Sequence, residues 1–251
     1  MTSGRSISIA AKPQPLALDP QQTAVIVVDM QNHFASPGGT FSNAGIDTSP
    51  ILALVGPITD VLEAARSAGS KVIYLKMRVP AAPAPAGEPL LRASAGGTLN
   101  RWAHYVELVG SHDTAAPPEG PSAARSSTGT WNADILDKLA PLPEDIVVPK
   151  HRFSGFFETD LDAILKSMGV KNLIFTGCTT SICVESTLRD AAFRDYNCVL
   201  LADCVAEPIG ASLDRTNHDA TLLLTELLFG WVSDSAAFVA AYQPQSVLAS
   251  Q

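Results

Sequence analysis

Leu173-Ile174-Phe175-Thr176-Gly177-Cys178-Thr179-Thr180-Ser181-Ile182-Cys183-Val184-Glu185 decides how the rest of the chain folds. The apolar run Leu173 to Phe175 has the character of a parallel strand buried on both faces, and the small residues after it predict a tight turn. From Val184 the apolar spacing lengthens to Leu188, Ala191 and Ala192, so a strand enters a helix with Cys183 at or beside the helix N-terminus. Unpaired N–H groups and the helix dipole favour an anion there. A thiol of ordinary pKa, about 8.5, is therefore expected to shift toward thiolate and act as a nucleophile. Such a cysteine can equally be inert packing if it stands alone.

On either side of this stretch the same strand-to-helix alternation recurs. Ala24 to Val28 is a continuous apolar, β-branched run ending in Asp29, and Val72 to Leu75 supplies a second strand. Ile146 to Val148 forms a third, ending at Pro149-Lys150, and Val199 to Ala202 and Trp231-Val232 complete the set. Between them, Ser49 and Pro50 open a helix with Leu54, Val55, Ile58 and Leu62 on one face and Gly69 as its stop. Trp131 to Leu139 is expected as a short helix, Thr159 as the cap of another bearing Leu161, Ile164, Leu165 and Met168 before Gly169, and helices are expected around His218 to Phe229 and from Ser235 to Tyr242. The order predicts a Rossmann-like, three-layer α/β/α fold, with a mostly parallel sheet of about six strands, right-handed crossovers and helices on both faces.

The 251 residues suit one large-cored domain, 21–251, preceded by a Pro-, Ala- and Ser-rich N-terminal arm at 1–20. Residues 77–130 form a long excursion, Val79-Pro80-Ala81-Ala82-Pro83-Ala84-Pro85 and then Gly, Ser and Thr with Trp102 and Tyr105, expected to be a lid or a subunit contact. Hydrophobic residues at 46% against 17% charged ones favour a buried sheet over disorder. A net charge of -8 without any Lys/Arg run argues against nucleic acid as a partner. No apolar run approaches the roughly 18 residues of a membrane span, and no signal core precedes Pro20, so a cytoplasmic protein without a membrane partner is expected. Cys178, Cys183, Cys198 and Cys204 lack the close pairing of zinc ribbons and are expected as reduced thiols.

Asp29, Lys150 and Cys183 each follow a buried strand, and parallel sheets gather ligand sites at their carboxyl ends. Singly, the Asp could be a turn residue and the Lys a solvated one. Together they make a chemical set: a carboxylate can remove the thiol proton, and an ammonium can lower the pKa of both acids by opposite charge.

Thr-Gly-x-x-Thr-x-x-Cys with Val-Glu-Ser-Thr and Arg189-Asp190, together with Val27-Val28-Asp29-Met30-Gln31 and Val147-Val148-Pro149-Lys150, resembles the isochorismatase-like cysteine hydrolases. The resemblance implies acyl transfer without cofactor, with Asp29, Lys150 and Cys183 catalytic, a cis peptide between Cys178 and Thr179, and an oxyanion hole from the N–H groups of Thr179 and Cys183. It runs nearest to ureidoacrylate amidohydrolases, through Asp29 to Asn32, Ala35 to Gly39, Arg152, Ser154 to Phe157, Cys183 to Asp190 and Phe229 to Asp234. Asn32, Phe34, Met77, Val79 and Phe153 are the substrate-contact candidates. Nicotinamidase relatives carry an Asp and His metal cluster after the first strand. Here Asp47 has no His two residues on and His104 and His112 lie in the excursion, so no metal is expected, and His33 is expected as a polar wall.

The departures fall where selectivity is set. Lys76-Met77-Arg78-Val79 stands where the resemblance leads one to expect an Asn and a Trp near a ureido group, and Phe153 where a Tyr would offer a hydroxyl. The expected reaction is cleavage of a linear C–N bond in a small amide or ureide, ureidoacrylate-like or biuret- or triuret-like. The alternatives are a more apolar amide, carbamate or aryl-urea, and a catalytically silent family member. Vinyl-ether hydrolysis, as in isochorismatase itself, is disfavoured by the presence of Cys183. The Pro-rich arm and apolar tail helix suggest a homo-oligomer, a dimer or tetramer.

Overall fold

A computed structural model describes residues 6–78, 131–209 and 216–243. Eight strands lie within them: β1 (Ile7–Ile9), β2 (Leu16–Leu18), β3 (Thr23–Val28), β4 (Lys71–Met77), β5 (Ile146–Lys150), β6 (Asn172–Cys178), β7 (Asn197–Ala206) and β8 (Trp231–Ser233). The last six form one parallel sheet in the order β5-β4-β3-β6-β7-β8. Strand order reverses between β3 and β6, and such a switch point opens a crevice at the carboxyl edge.

Sequence character follows position in the sheet. Every residue of the central strands β3 and β6 is buried, which is why they carry the apolar runs Ala24 to Val28 and Leu173 to Phe175. At the edge, β5 alternates and carries Pro149, whose missing N–H an edge strand tolerates. The Val55–Ser67 helix buries Ile58, Val61, Leu62 and Ala65, spaced by three and four residues, and packs against the Ser235–Tyr242 helix. Each of its larger apolar side chains contributes about 1.5–3 kcal/mol on burial. A second group, the Glu185–Ala192 helix and the 217–229 segment, packs together elsewhere on the sheet.

Several local expectations change. Trp131 to Leu139 is two 3-10 turns, Trp131–Ala133 and Asp137–Leu139, because its backbone pairs with the loop after β3: Asn32 N–H donates to the Asp134 carbonyl and Leu136 N–H to that of Met30. The helix near Ser49 starts one residue earlier than expected, with Thr48 at its cap position and the Ser49 N–H bound to Asp47. Asp160 holds the cap position of the 161–167 helix without a side-chain bond, while the Thr159 hydroxyl accepts Leu161 N–H at 3.3 Å, as a cap does, and donates to the Gly155 carbonyl. Residues 6–20 hold the β1–β2 hairpin, seated through Ile9 on the domain core and tied by Lys12 to Val232 and by the Ser233 hydroxyl to Ala10. Apart from Met77 and Arg78, the described residues exclude the excursion.

Candidate active site

Asp29 follows β3 directly and takes φ 51°, a left-handed conformation that few non-glycine residues adopt. Three contacts enforce it. The Asp29 N–H donates to the Leu75 carbonyl at 3.0 Å, and its carbonyl accepts from Gln31 N–H at 2.7 Å and from the Cys178 thiol at 3.4 Å. Lys150, the last residue of β5, pairs in register with Met77. Its Nζ lies 2.6 Å from Asp29 Oδ2, both side chains being sealed from solvent, and also donates to the Arg152 carbonyl at 3.2 Å.

Gly177 brings the third strand end close enough. It packs beside Val28 with φ 109°, and a Cβ there would sit 2.1 Å from the Val28 carbonyl oxygen. The Cys178–Thr179 peptide is cis. A π-helical turn, Thr180–Val184, then leads into the Glu185–Ala192 helix. Ile182 and Val184 N–H both return to the Thr179 carbonyl at 3.2 Å, whereas the Cys183 N–H between them makes no such bond. The Thr187 hydroxyl donates to the Cys183 carbonyl at 2.7 Å and accepts the Gly155 N–H at 3.0 Å, which links the nucleophile turn to the loop beyond Lys150.

The electrostatics differ from the preformed thiolate expected at a helix start. Burial pushes the Cys183 thiol well up; Lys150 pulls it back and Asp29 adds to the rise. Desolvation dominates because the sulfur is enclosed. Burial likewise raises the Asp29 carboxyl, against the pull of Lys150 and of the Cys183 thiol. For Lys150, burial favours the neutral amine, but Asp29 and Cys183 overcome it and hold the ammonium. Lys150 therefore holds its proton more firmly than usual, and burial makes Asp29 a stronger base and Cys183 a weaker acid than their exposed counterparts. Such a set can move a proton from sulfur to Asp29 as sulfur attacks carbon.

Cys178, Cys198 and Cys204 are free and fully enclosed, while Cys183 keeps 5% exposure. Phe34 is buried edge-on between His33 and Phe41. Asn32 gives its amide N–H to the Trp131 carbonyl and accepts from Ser36, so its polar groups build the loop. Met77 is buried at the end of β4, and Phe153 is 45% exposed beyond Lys150. Val79 lies outside the described residues, as do His104 and His112. Among the described residues no group of three His, Cys, Asp or Glu gathers as a metal set.

Gln31, part of the Val27-Val28-Asp29-Met30-Gln31 motif, has a structural role that the sequence did not reveal. Fully buried, its side chain donates to the Met77 and Ala133 carbonyls at 3.0 and 2.9 Å and accepts Met77 N–H at 2.8 Å. It staples β4 and the 131–133 turn to the loop that carries Asp29. A second missed residue, Glu207, follows β7 and accepts the Ser181 N–H at 2.9 Å and the Ser181 hydroxyl at 2.5 Å. Glu207 could have been marked by being the one polar residue amid apolar neighbours, whereas Gln31 stands among the polar residues Asp29, Asn32 and His33 and carries no such mark.

An acid, an ammonium and a thiol meeting at the switch point of a doubly wound sheet are the equipment of a cysteine hydrolase. Residues 23–237 match the isochorismatase domain, and the chain belongs to the isochorismatase family. A cysteine hydrolase from Pseudomonas syringae pv. phaseolicola 1448A is similar at 26% identity and TM-score 0.68, over 96% of this chain and 98% of that one. N-carbamoylsarcosine amidase from Thermoplasma acidophilum is similar at 25% identity and TM-score 0.61, over 85% and 96%. Nicotinamidase PncA from Bacillus subtilis shares the fold at 19% identity and TM-score 0.62, over 85% and 99%.

Proposed function

We propose that this hydrolase is a cysteine-dependent amidohydrolase that cleaves a linear C–N bond of a small amide or ureide through a thioester. The observation that carries this is the 2.6 Å Asp29–Lys150 pair set against the one cysteine not fully enclosed. Similarity to an N-carbamoylsarcosine amidase supports the bond type.

In this scheme Cys183 Sγ attacks the carbonyl carbon while its proton passes to Asp29. The oxyanion is met by the N–H groups of Thr179 and Cys183, donors of a kind whose loss typically costs about 3 kcal/mol of transition-state stabilisation. The C–N bond breaks, Asp29 returns the proton to the departing amine, and the acyl group stays on sulfur. Asp29 then takes a proton from the attacking water, the C–S bond breaks, and sulfur regains that proton. Lys150 remains charged and keeps Asp29 ionised between steps.

A ureidoacrylate-like or biuret-like substrate is the first choice within this class. Met77 and Phe153 favour a second, a more apolar amide, carbamate or aryl-urea, because neither side chain can pair with a polar ureido group. Ammonia or amine release measured across such a panel decides between them. Cys183→Ala is expected to lose about 10⁴-fold or more of the activity. Full activity in that variant contradicts the proposal, and an inert wild-type enzyme across the panel would favour a silent family member.

The proposal extends to a homo-oligomer. Leu223, Leu227 and Leu228 on the 217–229 segment are 56%, 64% and 69% exposed, an apolar surface suited to a second copy. Light scattering is expected to give a multiple of 26.4 kDa, and a 26.4 kDa species contradicts it.

A further inference from the structure

Three side chains, those of His218, Thr187 and Glu207, grip the turn between Thr179 and Cys183 from outside it. Thr180 meets His218 Nδ1 at 3.0 Å, and Thr187 holds the Cys183 carbonyl at 2.7 Å. Glu207 does more. Its Oε2 accepts both the N–H and the hydroxyl of Ser181, at 2.9 and 2.5 Å, its Oε1 accepts Ile209 N–H at 3.1 Å, and the Thr179 hydroxyl also bears on it.

Placement explains the grip. Cys178 at the end of β6 pairs with Ala206 at the end of β7, so the next residues, Thr179 and Glu207, emerge side by side at the carboxyl edge. Consecutive N–H groups at a helix start point along the same axis and compete for whatever anion lies there. Here Ser181 N–H is committed to Glu207, and Ile182 and Val184 N–H to the Thr179 carbonyl. The Cys183 N–H is left uncommitted by these bonds.

We propose that Glu207 is a positioning residue: by anchoring Ser181 and Thr179 it fixes the turn so that the Thr179 and Cys183 N–H groups converge on the oxyanion. This rests on the amidohydrolase reading and deepens it. Glu207 touches no reacting atom in this scheme. It acts through the backbone geometry of the turn, where a displacement of about 1 Å can cost about 10²-fold.

Two reagents separate this role from nucleophilicity and from folding. Iodoacetamide alkylates Cys183 by displacement at a saturated carbon and forms no oxyanion, whereas 4-nitrophenyl acetate acylates it through a tetrahedral oxyanion. In Glu207→Ala, acylation is expected to slow by about 10- to 100-fold, while alkylation stays within twofold of wild type. Glu207→Gln keeps an acceptor for Ser181 and is expected to recover most of the acylation rate. Unchanged acylation in Glu207→Ala overturns the proposal, as does an equal fall in both reactions, which marks a general loss of structure. Failure of the underlying reading looks different: wild-type Cys183 is then not acylated at all, and Cys183→Ala matches it.

Discussion

Asp29 and Lys150 each stand where water cannot solvate their charge, and each is tolerated because of the other. Removing one leaves an uncompensated buried ion, so Lys150→Met is expected to cost about 3–5 kcal/mol of stability in urea denaturation. The double variant with Asp29→Asn should recover part of that loss; equal losses in both would contradict a mutual dependence. The pH profile follows from the same burial. Asp29 must be ionised to act as base and its carboxyl is raised above the ordinary 3.8, so kcat/KM should climb with pH through a midpoint above 3.8. Lys150 stays charged beyond 10.5, which keeps its loss out of the neutral range. Because burial also raises the Cys183 thiol, alkylation should keep accelerating past pH 9.0; a plateau near neutrality would mean a preformed thiolate.

At the scale of elements, close backbone approach explains why the site forms where it does. Gly177 lets β6 press on the end of β3, and Gly177→Ala places a methyl 2.1 Å from the Val28 carbonyl oxygen at an unfavourable φ of 109°. A loss of about 3 kcal/mol or more, or failure to fold, is expected by calorimetry. The Gln31 staple is subtler: Gln31→Leu strips partners from buried backbone groups of Met77 and Ala133 and should cost about 1–3 kcal/mol. Strands were legible because their apolar runs match burial residue by residue, as in Ala24 to Val28. The 131–139 segment was not, since its spacing resembled a helix while its Leu136 N–H and its Trp131, Ala133 and Asp134 carbonyls serve a neighbouring loop. Local sequence likewise placed Cys183 at a helix start but carried no measure of its enclosure, which decides the sign of its pKa shift.

Across the whole molecule, sheet order brings together what sequence separates. Lys150 follows Asp29 by more than a hundred residues, yet β5, β4, β3 and β6 are neighbours in register. Strand ends alone pointed to Asp29, Lys150 and Cys183 as a group. Gln31, Glu207 and His218 became visible only once the sheet and its flanking segments were placed together, because each acts on residues distant in sequence. Within the described residues no helix is long and apolar enough to cross a membrane.

Peptide mapping by mass spectrometry, after acid quench of the enzyme during turnover of an active amide or ureide, tests the thioester most directly. An acyl adduct on the peptide carrying Cys183, accumulating in Asp29→Asn if that variant still acylates slowly and absent in Cys183→Ala, is the predicted result. Turnover with Cys183 unmodified at every quench time, sustained in the Cys183→Ala enzyme, would contradict it.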